Sequence, residues 1–447
     1  MDEPIKKEHV MEATRPAARE GQTAYTKAEL SELLHLFMDI GEGIHRAGGE
    51  IDRVEDTIQR LAAAYGAIRA DVFAITSSIE VTLLFPGDIE LTRTRRIRGA
   101  GGSNLARLQA YNDLSRRACA APMAADALRE AIAACETPGR MLPVYLGSAL
   151  ASGAFAIFFG GGIFDGAVAA LFGLLICFLQ DRLPRLCPNA VTVNFLAALF
   201  TGLGVCLLSL LFDPLFPDKI MIGDIMLLIP GIALTISIRN ILVGDTISGT
   251  LRLVESVIFA AALASGFMLA MGLFEGIYAG EGASLDEGMV KFIQILTGIL
   301  GSVGFALIFR LPYRYLPLAA LGGLLNWGSY LVLFALSEKL FFSCLAASAL
   351  SALYAELLAK RLRAPTTLFL IPTVIPSIPG SNLYYTLEAA VRADLAGVGK
   401  NALLTCQWAF GIAAGVSLVS ILFVILRNHK KQKNTPQHSL AVKTSEE

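Results

Sequence analysis

Charged residues are scarce in this chain. Only 17% of its 447 residues are Asp, Glu, Lys or Arg, whereas soluble proteins carry about a quarter. The net charge of −1 gives no indication of a nucleic-acid partner. Histidine occurs only at positions 9, 35, 45, 429 and 438, which argues against haem ligation or a histidine proton relay in the long stretch between them.

Motifs for nucleotide and metal chemistry are also missing. No glycine-rich loop ends in Gly-Lys-Ser or Gly-Lys-Thr, which counts against an ATP-driven pump. The N-terminal part has no Ser/His/Asp or Cys/His set and no cluster with metal-ligand spacing. We therefore expect neither a cofactor nor a metal, and a hydrolase-like domain on a membrane anchor is the less favoured alternative.

Long apolar runs dominate the rest of the chain. Residues 1–142 are polar and charge-rich, whereas 143–426 are apolar stretches with charges at their ends. A membrane-spanning helix needs about 20 mainly apolar residues. We predict ten such helices, at 143–161, 162–180, 191–212, 222–238, 254–274, 290–309, 316–336, 340–358, 366–385 and 402–426.

Basic residues alternate from one side of these predicted helices to the other. If the N-terminus is cytoplasmic, thirteen basic residues fall in inside connections and five in outside ones. The positive-inside rule then places both termini in the cytoplasm of a multi-pass protein of the cell membrane. The inside set is Arg182, Arg185, Arg239, Arg252, Arg310, Arg314, Lys360, Arg361, Arg363, Arg427, Lys430, Lys431 and Lys433, and the outside set is Lys219, Lys291, Lys339, Arg392 and Lys400.

Two of the predicted helices are interrupted by a Pro-Gly pair. The interruptions, Pro230-Gly231 and Pro379-Gly380, lie 149 residues apart, each in the fourth helix of a five-helix half, 143–274 or 290–426. Broken segments are tolerated in a membrane only where they are buried in protein or line a cavity. Because five is odd, the halves have opposite orientations, as in inverted-repeat transporters. We therefore predict an all-α polytopic membrane protein of two inverted repeats, with ordinary proline kinks as the alternative.

The polar N-terminal part predicts a small α+β cytoplasmic domain over 27–142, after a disordered tail at 1–26. Helical periodicity starts at Lys27, and a second amphipathic helix follows Gly48-Gly49. The run Asp71–Phe85 and the run Ile89–Arg98 read as two strands. Ser103 is a good N-cap for a third helix, a short fourth helix covers 123–135, and 427–447 is a cytoplasmic tail.

Ionisable and amide residues follow both interruptions. Arg239, Asp245 and Arg252 follow the first, and Asn382 and Glu388 follow the second. Charge inside a membrane is costly, so these residues are substrate-binding candidates together with the two Pro-Gly pairs. Anchoring at the membrane interface is the alternative for those near helix ends. In a carrier, the helix starts after the breaks offer N–H groups to a substrate carboxylate, and Asp245 or Glu388 binds a proton or an ammonium group.

The chain resembles the threonine/serine exporter family of the ThrE type at several motifs. These are Gly48–Arg60 (GGEIDRVEDTIQR), the strand pair at 72–98, Ile229–Arg252 and Ile371–Tyr384. The resemblance covers roughly 28–426 and implies a cytoplasmic N-terminal domain followed by ten membrane helices. Some relatives divide the same material between two proteins, so this chain looks like the fused form of a two-component exporter.

The resemblance implies secondary active export of threonine and serine coupled to the proton motive force, or of succinate as in the split type. The expected partners are the lipid bilayer, the small-molecule substrate and protons, and the sequence leaves open whether the chain forms a homo-oligomer. The motif residues carried over are Glu50, Arg53, Glu55 and Asp56 in the N-terminal domain, and Pro230, Gly231, Asp245, Arg252, Pro379, Gly380 and Glu388 in the membrane part.

Overall fold

The computed structural model describes residues 25–97, 103–136, 139–212, 215–228, 231–274 and 286–433. Nearly all of the predicted disordered tail, residues 1–26, falls outside these ranges. Pro230, one of the two predicted break prolines, falls outside them as well.

Four helices and a three-stranded sheet form the N-terminal domain. Thr26 and Glu29 cap the start of the first helix reciprocally. The apolar face predicted for the second helix is buried, with Val54, Ile58 and Leu61 at 0% exposure. The elements are α1 (Lys27–Arg46), α2 (Ile51–Ala64), β1 (Arg69–Ile75), β2 (Ser78–Phe85), β3 (Ile89–Arg96), α3 (Leu105–Ala120) and α4 (Ala125–Cys135).

Two local predictions in this domain are wrong. The run Asp71–Phe85 is not one strand but the end of β1, a tight turn and all of β2, with Ile75 paired to Ser78. The turn residues Thr76 and Ser77 include none of the Gly, Asn or Asp that favour two-residue turns, so the sequence hides the turn. The N-cap of α3 is Asn104 rather than Ser103, because the Asn104 Oδ1 accepts the Arg107 N–H at 3.1 Å.

Twelve further helices follow within the described residues. One of them ends at Leu228 before the next begins at Gly231, and another begins at Gly380, so helices end and restart at both predicted interruptions. The last helix runs to Lys433, seven residues past the predicted membrane end at 426. The helices are α5 (Leu142–Phe158), α6 (Ile163–Leu186), α7 (Ala190–Leu211), α8 (Pro217–Leu228), α9 (Gly231–Val243), α10 (Thr246–Gly272), α11 (Glu287–Ile308), α12 (Leu316–Ser337), α13 (Leu340–Leu362), α14 (Thr367–Val374), α15 (Gly380–Val391) and α16 (Leu395–Lys433).

Seven of these helices are long and apolar enough to cross a membrane, as far as the structure describes the chain. They are α6, α7, α10, α11, α12, α13 and α16. The pair α8 and α9, bent by 51°, makes an eighth span if it is counted as one. The shorter apolar segments Leu142–Phe158 and Thr367–Ser377 lie below that length. The chain is therefore a helical, multi-pass membrane protein with a small sheet at its N-terminal end.

The second interruption has a defined local geometry. After α14, residues Ile375–Ser377 tighten into a 3₁₀ turn, and Ile378 is extended. Pro379 has φ −76° and ψ 48°, and the Gly380 N–H donates to the Ile378 carbonyl at 2.7 Å. This is an inverse γ-turn centred on the proline, from which α15 starts afresh.

The helices of the two halves pack in matching pairs. In the first half α5 packs on α6 and α8, and α10 packs on α7 and α9. In the second half α11 packs on α12 and α14, and α16 packs on α13 and α15. The halves meet through α5 and α11, α9 and α16, and α10 and α15. A Cβ atom at Gly304 would lie 2.7 Å from the Ala151 backbone nitrogen, so glycine is what allows α5 and α11 this close approach.

The N-terminal domain shares one apolar core with the helices beneath it. Leu105 of α3 is fully buried, and its N–H donates to the Phe309 carbonyl at 2.8 Å. The same cluster of buried side chains includes Ala355 of α13 and Leu368 of α14. The domain is therefore packed onto the ends of α11, α13 and α14 rather than held by a flexible linker.

Candidate functional site

A cavity lies where the N-terminal domain meets the membrane helices. Its volume is about 40 Å³, partly open to solvent, between α9, α14 and α16. Its wall is mostly aliphatic with a few polar groups, as in many small-molecule sites. The lining residues are Glu50, Thr235, Ile236, Arg239, Thr367, Leu370, Ile371, Val374, Ile378, Ile412, Ala413 and Val416.

An ion pair forms part of the cavity wall. The Arg239 Nη1 donates to the Glu50 Oε1 at 2.7 Å, and the two side chains are only 17% and 28% exposed. Glu50 is the N-cap residue of α2, but its side chain makes no capping hydrogen bond. Because the carboxylate does not cap its own helix, it can pair with Arg239 of α9, 189 positions further along the chain.

Two hydrogen-bonding groups of the lining residues are unused. The Arg239 Nε and the Thr367 Oγ1 are buried and have no hydrogen-bond partner in the described part of the chain. Buried polar groups are normally paired, and an exception calls for an explanation. A polar ligand is one partner that would explain such unpaired groups.

Opposing effects set the charge of Glu50. Burial alone would raise the pKa of its carboxyl, but the charge of Arg239, its hydrogen bond and the charge of Arg53 together outweigh burial. The pKa of Glu50 therefore lies below its ordinary value, and the group is ionised at neutral pH. Burial lowers the pKa of Arg53, opposed by Glu50, Asp56 and Glu356.

The other three motif residues of α2 are not among those that line the cavity. Arg53 reaches the Asn112 Oδ1 at 3.5 Å, and the Glu55 Oε1 accepts the Ala74 N–H at 2.8 Å. Asp56 pairs with Arg60 at 2.8 Å on the exposed side of the helix. Of the four predicted motif residues, Glu50 is the one that lines the cavity.

Some of the residues that follow the first break line the cavity, and others lie at or beyond the start of α10. The Thr235 Oγ1 donates to the Gly231 carbonyl at 3.0 Å, so the start of α9 lies one turn from the cavity wall. Asp245 is the N-cap of α10, where its Oδ1 accepts the Ser248 N–H at 3.3 Å. Arg252 is near His45 of the N-terminal domain, whose pKa is lowered first by burial and then by Arg252.

The residues after the second break lie outside the cavity wall. Pro379 and Gly380 come directly after the lining residue Ile378. Asn382 is in the first turn of α15, and its carbonyl accepts the Thr386 hydroxyl. Glu388 pairs with Arg392 of the same helix at 2.8 Å. The structure thus brings Arg239 and Glu50 together and leaves Asp245, Asn382 and Glu388 apart from them.

The ends of the two broken spans repeat each other at an offset of 149 residues. Asp245 and Asp394 are both N-cap residues, and each backbone N–H donates to the carbonyl five residues earlier at 2.9 Å. The preceding residues, Gly244 and Ala393, both have a positive φ, of 104° and 57°. At the same offset Glu388 corresponds to Arg239.

Sequence reasoning missed three buried polar residues. Thr235 and Thr367 line the cavity, but a threonine in an apolar helix carries no distinguishing signal. Asp224, at 0% exposure, lies inside the predicted span 222–238. An acidic residue within an apolar window was a signal that could have found it.

Family models match both halves of the chain. Residues 35–274 match a family described as "Putative threonine/serine exporter", and residues 294–422 match one described as "Threonine/Serine exporter, ThrE". A threonine/serine exporter of Corynebacterium glutamicum is 24% identical over 282 residues, which cover 61% of this chain and 57% of that protein. No solved structure matches. The resemblance read from the motifs is thereby confirmed, and the chain belongs to the threonine/serine exporter family, a family of transporters rather than enzymes.

Proposed function

We propose that this chain exports threonine and serine, driven by the proton motive force. The observation that carries the proposal is that the Glu50–Arg239 ion pair and the unpaired Thr367 hydroxyl line the same, otherwise mostly apolar cavity. The membership of the family supports export, and the buried polar groups support a small polar solute.

The charges of the pair match those of an amino acid. A free amino acid is a zwitterion at neutral pH, with one carboxylate and one ammonium group. The Arg239 guanidinium, with its unused Nε, can bind the carboxylate, and Glu50 can bind the ammonium. The hydroxyl of threonine or serine is a natural partner for Thr367. Succinate has a second carboxylate in place of the ammonium, and Glu50 would repel it.

Transport by alternating access fits the positions of the breaks. Eight residues separate Gly231 from Arg239, about 12 Å along a helix, so one small solute cannot contact both. We therefore place first recognition at Arg239 and Glu50. The starts of α9 and α15, with Pro230, Gly231, Pro379, Gly380 and Asn382, form a deeper site whose N–H groups attract the carboxylate.

The architecture we propose is ten membrane helices in two inverted repeats of five. Seven long helices, the bent α8–α9 pair, α5 and the α14–α15 segment make up the ten. The matching helix pairs and the repeated N-cap turns support the two-fold repeat. An odd number of helices per repeat inverts the second half. The cytoplasmic domain then spans 27–142, the halves span 143–274 and 290–426, and both termini are cytoplasmic, with tails at 1–26 and 427–447.

Export from loaded cells tests the function directly. Bacterial cells with the chain in their membrane are preloaded with threonine, serine or succinate, and efflux is followed with and without an uncoupler. Cells carrying Arg239→Gln at the same membrane level are the matched control. Uncoupler-sensitive efflux of threonine and serine in the wild type alone supports the proposal. Efflux of succinate alone, or efflux that the uncoupler leaves unchanged, overturns it.

A further inference from the structure

Asp224 is a carboxylic acid enclosed by apolar helices. It lies on α8, four residues before that helix ends at Leu228, and it is 0% exposed. The Ser152 hydroxyl of α5 donates a hydrogen bond to its Oδ1. Its Oδ2 is buried and has no hydrogen-bond partner in the described residues. The proposed substrate site does not use this group.

Close packing of α8 against α5 creates the contact. A Cβ atom at Gly223 would lie 2.6 Å from the Ser152 carbonyl oxygen and 2.7 Å from the Ala156 nitrogen. Only glycine at position 223 allows the two helices to approach so closely that a serine reaches the next residue. The contact is therefore specified by the fold.

The described residues place no cation within ion-pair distance of Asp224. Within the described residues Asp224 forms no ion pair, and Ser152 is its hydrogen-bond partner. Helices α5, α6, α7, α10 and α15 pack against α8. Their titratable and charged side chains, with those of α8 itself, are Tyr145, Asp165, Cys177, Asp181, Arg182, Arg185, Cys206, Arg252, Glu255, Tyr384, Tyr385, Glu388, Asp218 and Lys219.

These surroundings fix the protonation state of the group. An ionised carboxylate with one hydrogen bond and no cation is prohibitively costly in an apolar interior, whereas the neutral acid is tolerated. Asp224 therefore carries a proton in this conformation. A metal ion such as Na⁺ prefers a shell of several oxygens, whereas the hydrogen-bond partner of Asp224 in the described residues is the Ser152 hydroxyl.

We propose that Asp224 is the proton-binding group that couples export to the proton motive force. This inference rests on the proposed export function. In the cycle the Asp224 carboxylate takes one proton from water on the outer side and becomes the neutral acid enclosed here. The acid then releases that proton to cytoplasmic water while one solute molecule leaves the cell.

The two halves of the chain differ at this position. At the offset of 149 residues Thr373 stands where Asp224 stands in the first half, and its hydroxyl donates to the Phe369 carbonyl of its own helix. Ser302 of α11, which sits in the same Ser-x-x-Phe pattern as Ser152 of α5, has an unpaired buried hydroxyl. Of these two corresponding positions, the one in the first half carries a carboxyl group and the one in the second half carries a hydroxyl group.

Asp224 is placed where a change between conformations can reach it. Helix α8 leads into the first break, and Ser152 follows Ala151, which contacts Gly304 where α5 meets α11. Rocking of one half against the other shifts α5, and bending at the break shifts α8. Either movement would separate the carboxyl from Ser152 and open it to water, as a carrier of protons requires.

Purified wild-type chain and the Asp224→Asn variant are reconstituted into vesicles with an acidic lumen. One pH unit supports about a tenfold accumulation of solute when one proton moves per solute and a permeant counterion holds the membrane potential at zero. We expect the wild type to accumulate threonine. Asp224→Asn, which mimics the neutral acid permanently, should exchange threonine across the membrane but reach no accumulation. Asp181→Asn, at the exposed end of α6 beside Arg182, is the matched control and should accumulate threonine as the wild type does.

Accumulation by Asp224→Asn equal to that of the wild type overturns the inference and leaves export intact. Failure of the wild type itself to respond to the gradient overturns proton coupling, and the inference falls with it. If Asp224→Asn does not fold, infrared difference spectra of the wild type and Ser152→Ala decide. A protonated-carboxyl stretch that shifts in Ser152→Ala supports the inference, and an unshifted or absent band overturns it.

Discussion

The same position in the two halves carries opposite charges with different partners. Arg239 lies eight residues after the first break and pairs with Glu50 of the N-terminal domain. Glu388 lies eight residues after the second break and pairs with Arg392 of its own helix. The first half therefore holds its charge across an interface beside a cavity, whereas the second holds it within one helix.

Aromatic packing agrees with this asymmetry. Tyr384 of α15, one turn before Glu388, is 5% exposed, and its ring packs edge-on against Phe267 of α10 at 6.4 Å. The corresponding position in α9 is Thr235, which lines the cavity. At this repeated position, a bulky aromatic ring fills the space in the second half, whereas a small threonine leaves space in the first half.

Replacing the arginine of each ion pair, Arg239 in the first half or Arg392 in the second, is expected to give the largest difference in export. Arg239→Gln leaves Glu50 half-buried without its cation, and a hydrogen bond to a charged group is worth about 1.5–3 kcal/mol. We expect threonine export to fall roughly ten- to a hundredfold. Arg392→Gln removes a pair one helical turn apart whose arginine is about half exposed and therefore screened by solvent. Because this pair does not line the cavity, the change should alter export less than twofold. Initial export rates at equal protein levels measure both, and equal losses would remove the asymmetry.

The pH dependence of stability sharpens the contrast further. Because the pKa of Glu50 is lowered in the folded protein, its stabilisation is complete above about pH 4.5, its ordinary value. The stabilisation is lost as the pH falls through the folded value. We expect acid to lower the melting temperature of the purified protein more steeply than that of Glu50→Gln. Parallel curves for the two proteins would show that Glu50 is not ionised in the folded state.

The two repeated turns differ in how well their residues suit a positive φ. Gly244 has open space around it, so Gly244→Ala introduces backbone strain alone, about 1 kcal/mol or more. Ala393 already bears that strain, and Ala393→Gly should be neutral or stabilising by up to about 1 kcal/mol. Thermal unfolding in detergent measures both, and destabilisation by Ala393→Gly would argue against equivalent turns.

The smallest effect is expected at the outer side of α2. Asp56 and Arg60 form an exposed pair one turn apart, worth about 0.3–0.5 kcal/mol. Asp56→Asn should therefore leave threonine export within twofold of the wild type, although Asp56 belongs to the same motif as Glu50. A larger loss in the export assay would mean that the motif acts through more than Glu50.

Much of the fold could be predicted from the sequence because it depends on local composition. Apolar length and the Pro-Gly pairs located the helices and both interruptions, and the period of α2 located its buried face. The hairpin at Thr76–Ser77 could not be predicted, because its turn residues are ordinary strand residues. Its position is set by pairing between strands, with Val72 opposite Val81.

The site was less accessible to sequence reasoning than the fold. Glu50 and Arg239 were each predicted, but their contact joins positions 189 apart and depends on how the N-terminal domain packs on α9. Asp245 and Glu388 were predicted as equal candidates, yet one caps a helix and the other pairs within its own. The type of residue was visible in the sequence, whereas the partner was decided by tertiary packing.

Recognition of the solute by Glu50 and Arg239 can be measured as binding of threonine and succinate to the purified wild type and to Glu50→Gln. We expect the wild type to prefer threonine, because Glu50 attracts its ammonium group and repels a second carboxylate. In Glu50→Gln threonine binding should weaken and succinate binding should strengthen, so that the ratio of the two dissociation constants shifts by about tenfold or more. An unchanged ratio, with both proteins folded, would contradict recognition of the solute by Glu50 and Arg239.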